Sequence, residues 1–509
     1  MISFRKLTGG VVIGWASTLL SIAVGLYMSP FLIHHLGEVG YGVWVLVQST
    51  VSYMYLLDLG LRTTVVRFSA EAHARGDHAE VSNVVSAALW VRMWTAAALM
   101  VVAAALALLL PHIFRISVEY RIAAQMALLI SATTLSSTLV FSVFSAVLSS
   151  LGRYDLLGSL DLTRTALTGF GLVPIILHGY GLVAMASWQL TVILAINLLT
   201  VYFCFRVYPQ LKCHFRRPES VILRSLWSLS VYVLILNGAG QLILYTDNIV
   251  VGAFVAAAAV SYYGVAGKMV EYVRQIAIAI LVYVMPLASS FRARNQFDRL
   301  QRLHLRGTQA VLLVTYPVVI TLLLRGSTLL RLWIGATFSD EATRILQVLI
   351  IAASLMLANA SVNPVALAMD RQKVLSLVTL GEGAANLILS IILVHRIGVL
   401  GVAIGTLIPT FITSVLIWPR YLCRLLQMPL WEFAVKGWFT PIAAMLPFAG
   451  ATYWAQLHWP PAKLLGFALQ TGALVPLVLA GALIVFWKDV PTVWRLLTQR
   501  RAAAVASGT

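Results

Sequence analysis

Residues 82–110 read SNVVSAALWVRMWTAAALMVVAAALALLL, an apolar run that contains a single charged residue, Arg92. A hydrocarbon core roughly 30 Å thick is crossed by about 20 apolar residues in a helix. Only helices and closed barrels satisfy every backbone polar group in that environment. The run is long enough to cross the core, and it therefore predicts a membrane-spanning helix.

Similar runs follow one another along the whole chain, separated by short loops. Hydrophobic residues make up 60% of the 509 residues and charged residues only 11%, more apolar surface than a water-soluble fold could bury. The sequence predicts an all-α polytopic membrane protein with about 14 transmembrane helices. The predicted spans lie near residues 9–35, 40–61, 82–110, 121–150, 156–177, 181–205, 230–254, 259–289, 308–325, 345–369, 374–394, 398–419, 438–456 and 463–487.

The loops on one side of these spans collect most of the 36 lysines and arginines. Loops rich in Lys and Arg remain in the cytoplasm. We therefore expect a multi-pass protein of the bacterial inner (plasma) membrane with both termini cytoplasmic. The same bias accounts for the net charge of +18, and no basic stretch lies apart from a membrane segment, so we expect no nucleic-acid partner.

Two short sequence matches indicate an internal repeat. Gly40–Val43 (GYGV) corresponds to Tyr262–Val265 (YYGV), and the segment that ends at His178 corresponds to the segment that ends at His395, at nearly the same separation. This spacing predicts two parallel six-helix repeats related by an axis along the membrane normal. The predicted domains are an N-lobe at 1–215 with spans 1 to 6, a C-lobe at 216–430 with spans 7 to 12, and 431–509 with spans 13 and 14 and a cytoplasmic tail.

The eighth predicted span carries three charges, Lys268, Glu271 and Arg274, on one helical face. A charge within the membrane normally faces a bundle interior or an aqueous cavity. The three charges sum to +1, and a net positive lining suits an anionic substrate such as a phosphate. The alternative is a structural ion pair between packed helices.

Other predicted spans also contain charges, and they are candidates for the same cavity. Asp247 lies in the seventh span, Asp161 and Arg164 lie one turn apart in the fifth, Arg92 lies in the third and Glu382 lies in the eleventh. Each could instead form a structural ion pair, and Asp161 and Arg164 can neutralise each other locally. Asp58 is interpreted differently, because its neighbours Arg62 and Arg67 indicate the inside end of the second span.

Signatures of membrane enzymes are absent from the sequence. There is no phosphate-binding G-x-x-x-x-G-K-[ST] loop, and neither H-E-x-x-H nor G-x-S-x-G occurs. The longest outside loop, predicted at 326–344, is too short for a catalytic domain. The three cysteines lack metal-ligand spacing. We expect a protein that is not an enzyme, with no metal site and no cofactor.

Several short segments carry a resemblance to a known family. They are Leu36–Trp44 (LGEVGYGVW), Leu56–Leu61 (LLDLGL) leading to Val66-Arg67, Thr246–Gly252 (TDNIVVG), Tyr263-Gly264 and Lys268. With these segments the chain, from about residue 9 to residue 487, resembles the polysaccharide transporters, the Wzx-type O-antigen and exopolysaccharide flippases. That group belongs to the multidrug/oligosaccharidyl-lipid/polysaccharide (MOP) exporter superfamily, which also contains the MATE transporters.

The resemblance implies two MATE-like lobes around a central cationic cavity, lined by the charges of the seventh and eighth spans, with two extra C-terminal helices. It implies flipping of a polyprenyl-pyrophosphate-linked oligosaccharide by alternating access, with an H⁺ or Na⁺ gradient as the energy source. Membrane lipids and other polysaccharide assembly proteins would be its further partners. The alternatives are a MATE-like drug/cation antiporter, a peptidoglycan lipid-precursor flippase and a membrane glycan polymerase or ligase.

Overall fold

The computed structural model describes residues 4–58, 60–214, 238–282 and 284–487, and every regular element among them is helical. The helices are α1 Phe4–Met54, α2 Leu61–Ala74, α3 His78–Ile113, α4 Val118–Ser150, α5 Tyr154–Leu177, α6 Leu182–Val207, α7 238–254, α8 Ala257–Leu281, α9 Val284–Ala293, α10 Phe297–Trp333, α11 Ala336–Leu357, α12 Val362–Ala368, α13 Gln372–Ile397, α14 Val399–Phe411, α15 Trp418–Leu425, α16 Leu430–Phe433, α17 Thr440–Ala444, α18 Leu446–His458, α19 Leu464–Ala473 and α20 Val475–Phe486. One 3₁₀ turn, Tyr55–Asp58, follows α1.

Eleven helical segments in the described ranges are long and apolar enough to cross a membrane. The first, Trp15–Ala74, covers the second predicted span and the first from residue 15 onward, and a backbone break at Gly37 (φ 70°, ψ 171°) separates the two. The seventh predicted span falls on α7, and part of that span lies outside the described residues. The thirteenth predicted span falls on the short helices α17 and α18. The prediction of an all-α polytopic membrane protein is confirmed.

The helices group into two compact units. Unit 1 contains residues 1–265 and 372–409, and unit 2 contains residues 266–371 and 410–509. In unit 1, α4 packs against α3 and α6, and α1 packs against α5. In unit 2, α10 packs against α11 and α18. The lobe boundaries at residues 215 and 430 remain a prediction.

The predicted boundaries around the ninth span are wrong. The outside loop predicted at 326–344 is mostly helix, because α10 continues to Trp333 and α11 begins at Ala336. At the other end, α10 already begins at Phe297, within the predicted inside segment. Hydropathy detects only the apolar part of a helix, whereas the backbone hydrogen bonds continue into the polar layers on both sides. Gly335, with φ 142°, provides the conformation that separates α10 from α11.

At least six described helix ends have the same turn, and four of them form two pairs at about the interval of the predicted repeat. The left-handed residues are Gly76 and Asn295 in one pair and Gly152 and Asp370 in the other. Gly, Asn and Asp are the residues that tolerate this conformation best. After each of them, the next backbone N–H donates to the carbonyl five residues back, the Schellman pattern, at 2.9–3.0 Å. The same turn also follows Gly179 and Gln427, which do not lie at this interval, so the internal repeat remains a prediction.

Candidate substrate and ion sites

Asp247 is a buried carboxylate on α7, with 4% of its surface exposed. The Tyr263 hydroxyl on α8 donates to Asp247 Oδ2 at 2.5 Å, and the Thr406 hydroxyl on α14 donates to the same oxygen at 2.7 Å. The other oxygen, Oδ1, has no hydrogen-bond partner in the described part of the chain. An ionised carboxylate that is buried in this way is costly unless a proton or a cation compensates for it.

Neutral oxygen-bearing groups from α13 and α14 surround Thr406. The Asn386 amide donates to Thr406 Oγ1 at 3.0 Å, and the Ser390 hydroxyl donates to the Val402 carbonyl at 3.3 Å. Gly405 allows this close approach, since a Cβ at its position would lie 2.5 Å from Ser390 Oγ. Carboxylate, hydroxyl, amide and carbonyl oxygens are ligands for hard cations, so the cluster has the chemistry to bind a proton or a small cation.

The three charges of α8 are not equivalent in the structure. Arg274 donates two hydrogen bonds to Glu271, at 2.7 and 2.9 Å, and Gln275 adds a third at 3.3 Å. Lys268 is exposed and forms no ion pair with any described residue. Because Arg274 and Glu271 neutralise each other, the ammonium of Lys268 provides the net positive charge of this face.

Two other predicted cavity charges form an ion pair within α5. Arg164 contacts Asp161 at 2.5 Å, and both side chains are nearly half exposed. Ser17 on α1 donates to the other oxygen of Asp161 at 2.6 Å. Asp161 and Arg164 are therefore placed as a locally neutralised structural pair.

Glu382, the predicted cavity charge of the eleventh span, is buried in α13, with 8% of its surface exposed.

Arg92 is fully buried, and its partner is Asp58. One guanidinium nitrogen donates to the Asp58 carbonyl at 2.8 Å, and another donates to the Asp58 carboxylate at 2.5 Å. The interpretation of Asp58 as a simple marker of a span end was therefore incomplete, because the 3₁₀ turn carries its carboxylate to α3. The pairing favours the structural alternative for Arg92.

Sequence reasoning missed one basic cavity in unit 2, of about 370 Å³. Its lining combines arginines with apolar side chains: Leu287, Phe291, Arg299, Leu303, Arg302 and Arg306. The arginines were assigned to a positively charged inside loop, but they lie on the first turns of α10. Their i, i+3, i+7 spacing is the signal that could have placed them on one helical face.

These helices define the class of the molecule: a multi-pass membrane protein with the fold of the MOP superfamily. Lipid II flippase MurJ, in an inward closed conformation, superposes with a TM-score of 0.69 at 14% identity, covering 94% of this chain and all of MurJ. The chain belongs to the polysaccharide biosynthesis protein family, whose model matches residues 31–343. The chain is accordingly a transporter and not an enzyme.

Two curated relatives resemble the chain over most of its length. EpsK of Bacillus subtilis (strain 168), an uncharacterized membrane protein, is 21% identical over 484 residues, covering 92% of this chain and 91% of EpsK. A putative O-antigen transporter of Shigella flexneri is 22% identical over 411 residues, covering 76% of this chain and 91% of the relative.

Proposed function

We propose that this protein flips lipid-linked oligosaccharide or polysaccharide repeat units across the bacterial inner membrane. The family and the name of the Shigella flexneri relative, a putative O-antigen transporter, support this function. The observation that carries it is the net positive α8 face, in which Lys268 has no ion-pair partner among the described residues. A polyprenyl pyrophosphate is an anion that such a face can bind inside a membrane.

The basic cavity of unit 2 supports the same substrate class. Arg299 and Arg302 are exposed, and they line this cavity together with the apolar side chains Leu287, Phe291 and Leu303. Guanidinium groups bind phosphate oxygens with two parallel hydrogen bonds, and an apolar surface suits a lipid chain. In this proposal the cavity contributes to the capture of pyrophosphate-linked lipids before they cross the membrane.

Asp247 is the proposed coupling site. Its carboxylate is buried, has one free oxygen in the described structure, and is held by Tyr263 and Thr406 on two other helices. Binding or release of H⁺ or Na⁺ changes the charge of this cluster and so changes which arrangement of the three helices is favoured. We propose that this exchange drives alternating access between two six-helix lobes, with both chain termini in the cytoplasm.

A deletion strain provides the direct genetic test. We expect lipid-linked glycan to accumulate when the gene is removed and to return to the parental level when the gene is restored. A strain that lacks the gene but shows a parental amount of lipid-linked glycan and of surface polysaccharide would contradict the proposed function.

A further inference from the structure

Two residues beside the proposed coupling site contact a helix from the first half of the sequence. Thr246 and Asn248 flank Asp247 on α7. The Tyr53 hydroxyl on α1 is hydrogen-bonded to Thr246 Oγ1. One turn earlier on α1, Ser49 Oγ accepts a hydrogen bond from the Asn248 amide at 3.0 Å. Asp247 thus lies between two residues that are both bonded to α1.

The carboxylate of Asp247 contacts other helices of unit 1. Its partners are the neutral hydroxyls of Tyr263 on α8 and Thr406 on α14. Helix α7 is therefore bonded to α8 and α14 through Asp247, and to α1 through the two neighbours of Asp247. Because these three residues belong to one rigid helix, a shift of α7 at the carboxylate also shifts its contacts with α1.

The other end of the contact between α1 and α7 is held differently, by close packing. A Cβ at Gly252 would lie 2.7 Å from Leu46 Cδ1, and Leu46 is fully buried, so glycine permits this approach. The Gly252 carbonyl also accepts a hydrogen bond from the backbone N–H of Arg115 at 3.1 Å. This end of α7 is therefore fixed by its backbone, whereas the end at Thr246 is held by side-chain hydrogen bonds.

This difference makes the end at Thr246 the one that a small tilt of α7 would open. Gly252 and Thr246 are about 9 Å apart along the helix, so a tilt of roughly 6° about Gly252 moves Thr246 by about 1 Å. A displacement of that size is enough to break a hydrogen bond. Thr246 and Ser49 are both buried, so water does not readily replace the lost partner. The contact is therefore either made or broken.

We infer that the Tyr53–Thr246 and Ser49–Asn248 contacts form a latch, which joins α7 to α1 in one charge state of Asp247 and opens in the other. Tyr53 and Thr246 are positioning residues, because they act through α7 rather than on the carboxylate. The inference rests on the proposed function and names the contact through which a charge change at Asp247 reaches the first half of the chain. The latch crosses the predicted lobe boundary at residue 215, where alternating access requires a reversible contact.

The test measures the separation of α1 and α7 in the full-length protein in nanodiscs, without substrate. Spin labels replace the exposed residues Tyr55, in the turn after α1, and Leu244, on α7, once the three cysteines are changed to alanine. Distances are recorded while Na⁺ is varied at constant pH and while pH is varied at constant Na⁺. We expect two distances whose ratio depends on one of these cations, and no such dependence in Asp247→Asn.

Tyr53→Phe and Thr246→Val each remove one hydroxyl of the latch and keep the size of the side chain. We expect each to shift the cation concentration at the midpoint about three- to tenfold, in the direction that favours the longer distance. The double variant should shift the midpoint no further than either single variant, because all three lack the same hydrogen bond.

Tyr316→Phe is the matched control, because the Tyr316 hydroxyl donates to the Ser354 carbonyl at 3.2 Å within unit 2. This control should keep the parental midpoint. A separation that is independent of both cations in the parent protein, a dependence that survives in Asp247→Asn, or latch variants that titrate like the control would overturn the latch. If the parent protein moves no lipid-linked glycan, the proposed function fails instead, and the distances, which need no substrate, still decide on the latch.

Discussion

The Tyr263 hydroxyl donates a 2.5 Å hydrogen bond to Asp247, and the two residues lie on consecutive helices, α7 and α8. Both side chains are buried. The bond connects the proposed coupling carboxylate directly to the helix that carries Lys268, Glu271 and Arg274. We expect a change in the charge of Asp247 to alter the position of α8 through this contact.

Substitution of Asp247 tests the coupling role. We expect Asp247→Asn to reduce gradient-driven transport by more than tenfold while substrate binding remains, because the amide cannot exchange a proton or neutralise a bound cation.

Substitution of Tyr263 tests the hydrogen bond to this carboxylate. Tyr263→Phe removes one hydrogen bond to a buried charge, worth about 1.5–3 kcal/mol, and should shift the cation concentration for half-maximal transport about tenfold or more. Transport in proteoliposomes, with and without an imposed gradient, gives both values.

Asp155→Asn is the control for Asp247→Asn. Asp155 pairs with Arg153 at 2.9 Å near the start of α5, and its side chain is 45% exposed. We expect the Asp155 variant to transport like the parent protein. Full gradient dependence in Asp247→Asn would remove Asp247 from the mechanism.

The α8 cations are expected to bind the anionic part of the substrate. Lys268→Ala should reduce export about tenfold, because it removes a charge-assisted hydrogen bond to the substrate worth about 1.5–3 kcal/mol. Arg274→Ala should have a similar effect for another reason, since it leaves Glu271 without its partner and removes the net positive charge of this face. Membrane fractions probed for the protein should show parental amounts. Arg420→Ala, which removes an exposed arginine that donates to the Leu416 carbonyl, is the control. Parental export by both α8 variants would show that this helix does not bind the anion.

The pair of Arg92 and Asp58 should behave as a structural element. Arg92→Ala leaves a buried carboxylate without its partner, and removal of one member of a buried ion pair costs about 3–5 kcal/mol. The thermal midpoint of the detergent-purified protein should fall markedly, and the double variant Arg92→Leu with Asp58→Leu should recover part of the loss. If Arg92→Ala keeps the parental midpoint and loses transport, Arg92 is a substrate-binding charge after all.

Cys213 reports the orientation of the chain. It lies beyond the end of α6 and is exposed, whereas Cys204 and Cys423 are buried. If the termini are cytoplasmic, a membrane-impermeant maleimide should label inside-out vesicles and leave right-side-out vesicles unlabelled. Cys213→Ser should abolish the labelling. Labelling of right-side-out vesicles alone would reverse the predicted topology.

The sequence was sufficient for the all-helical membrane class and for the family, because a membrane requires long apolar segments and the family motifs are local. It was less informative about pairing. Arg92 and Asp58 are separated along the chain, and their contact depends on the 3₁₀ turn after α1, which hydropathy does not detect.

The most direct test of the central claim is transbilayer movement in proteoliposomes that contain the purified protein and the extracted lipid-linked glycan. Protection of the glycan from an impermeant oxidant that is present on one side of the membrane is followed over time. We expect the protected fraction to decline when protein and an ion gradient are both present, and we expect Asp247→Asn to abolish the effect of the gradient. A protected fraction that stays the same with and without the protein would contradict the assignment as a flippase.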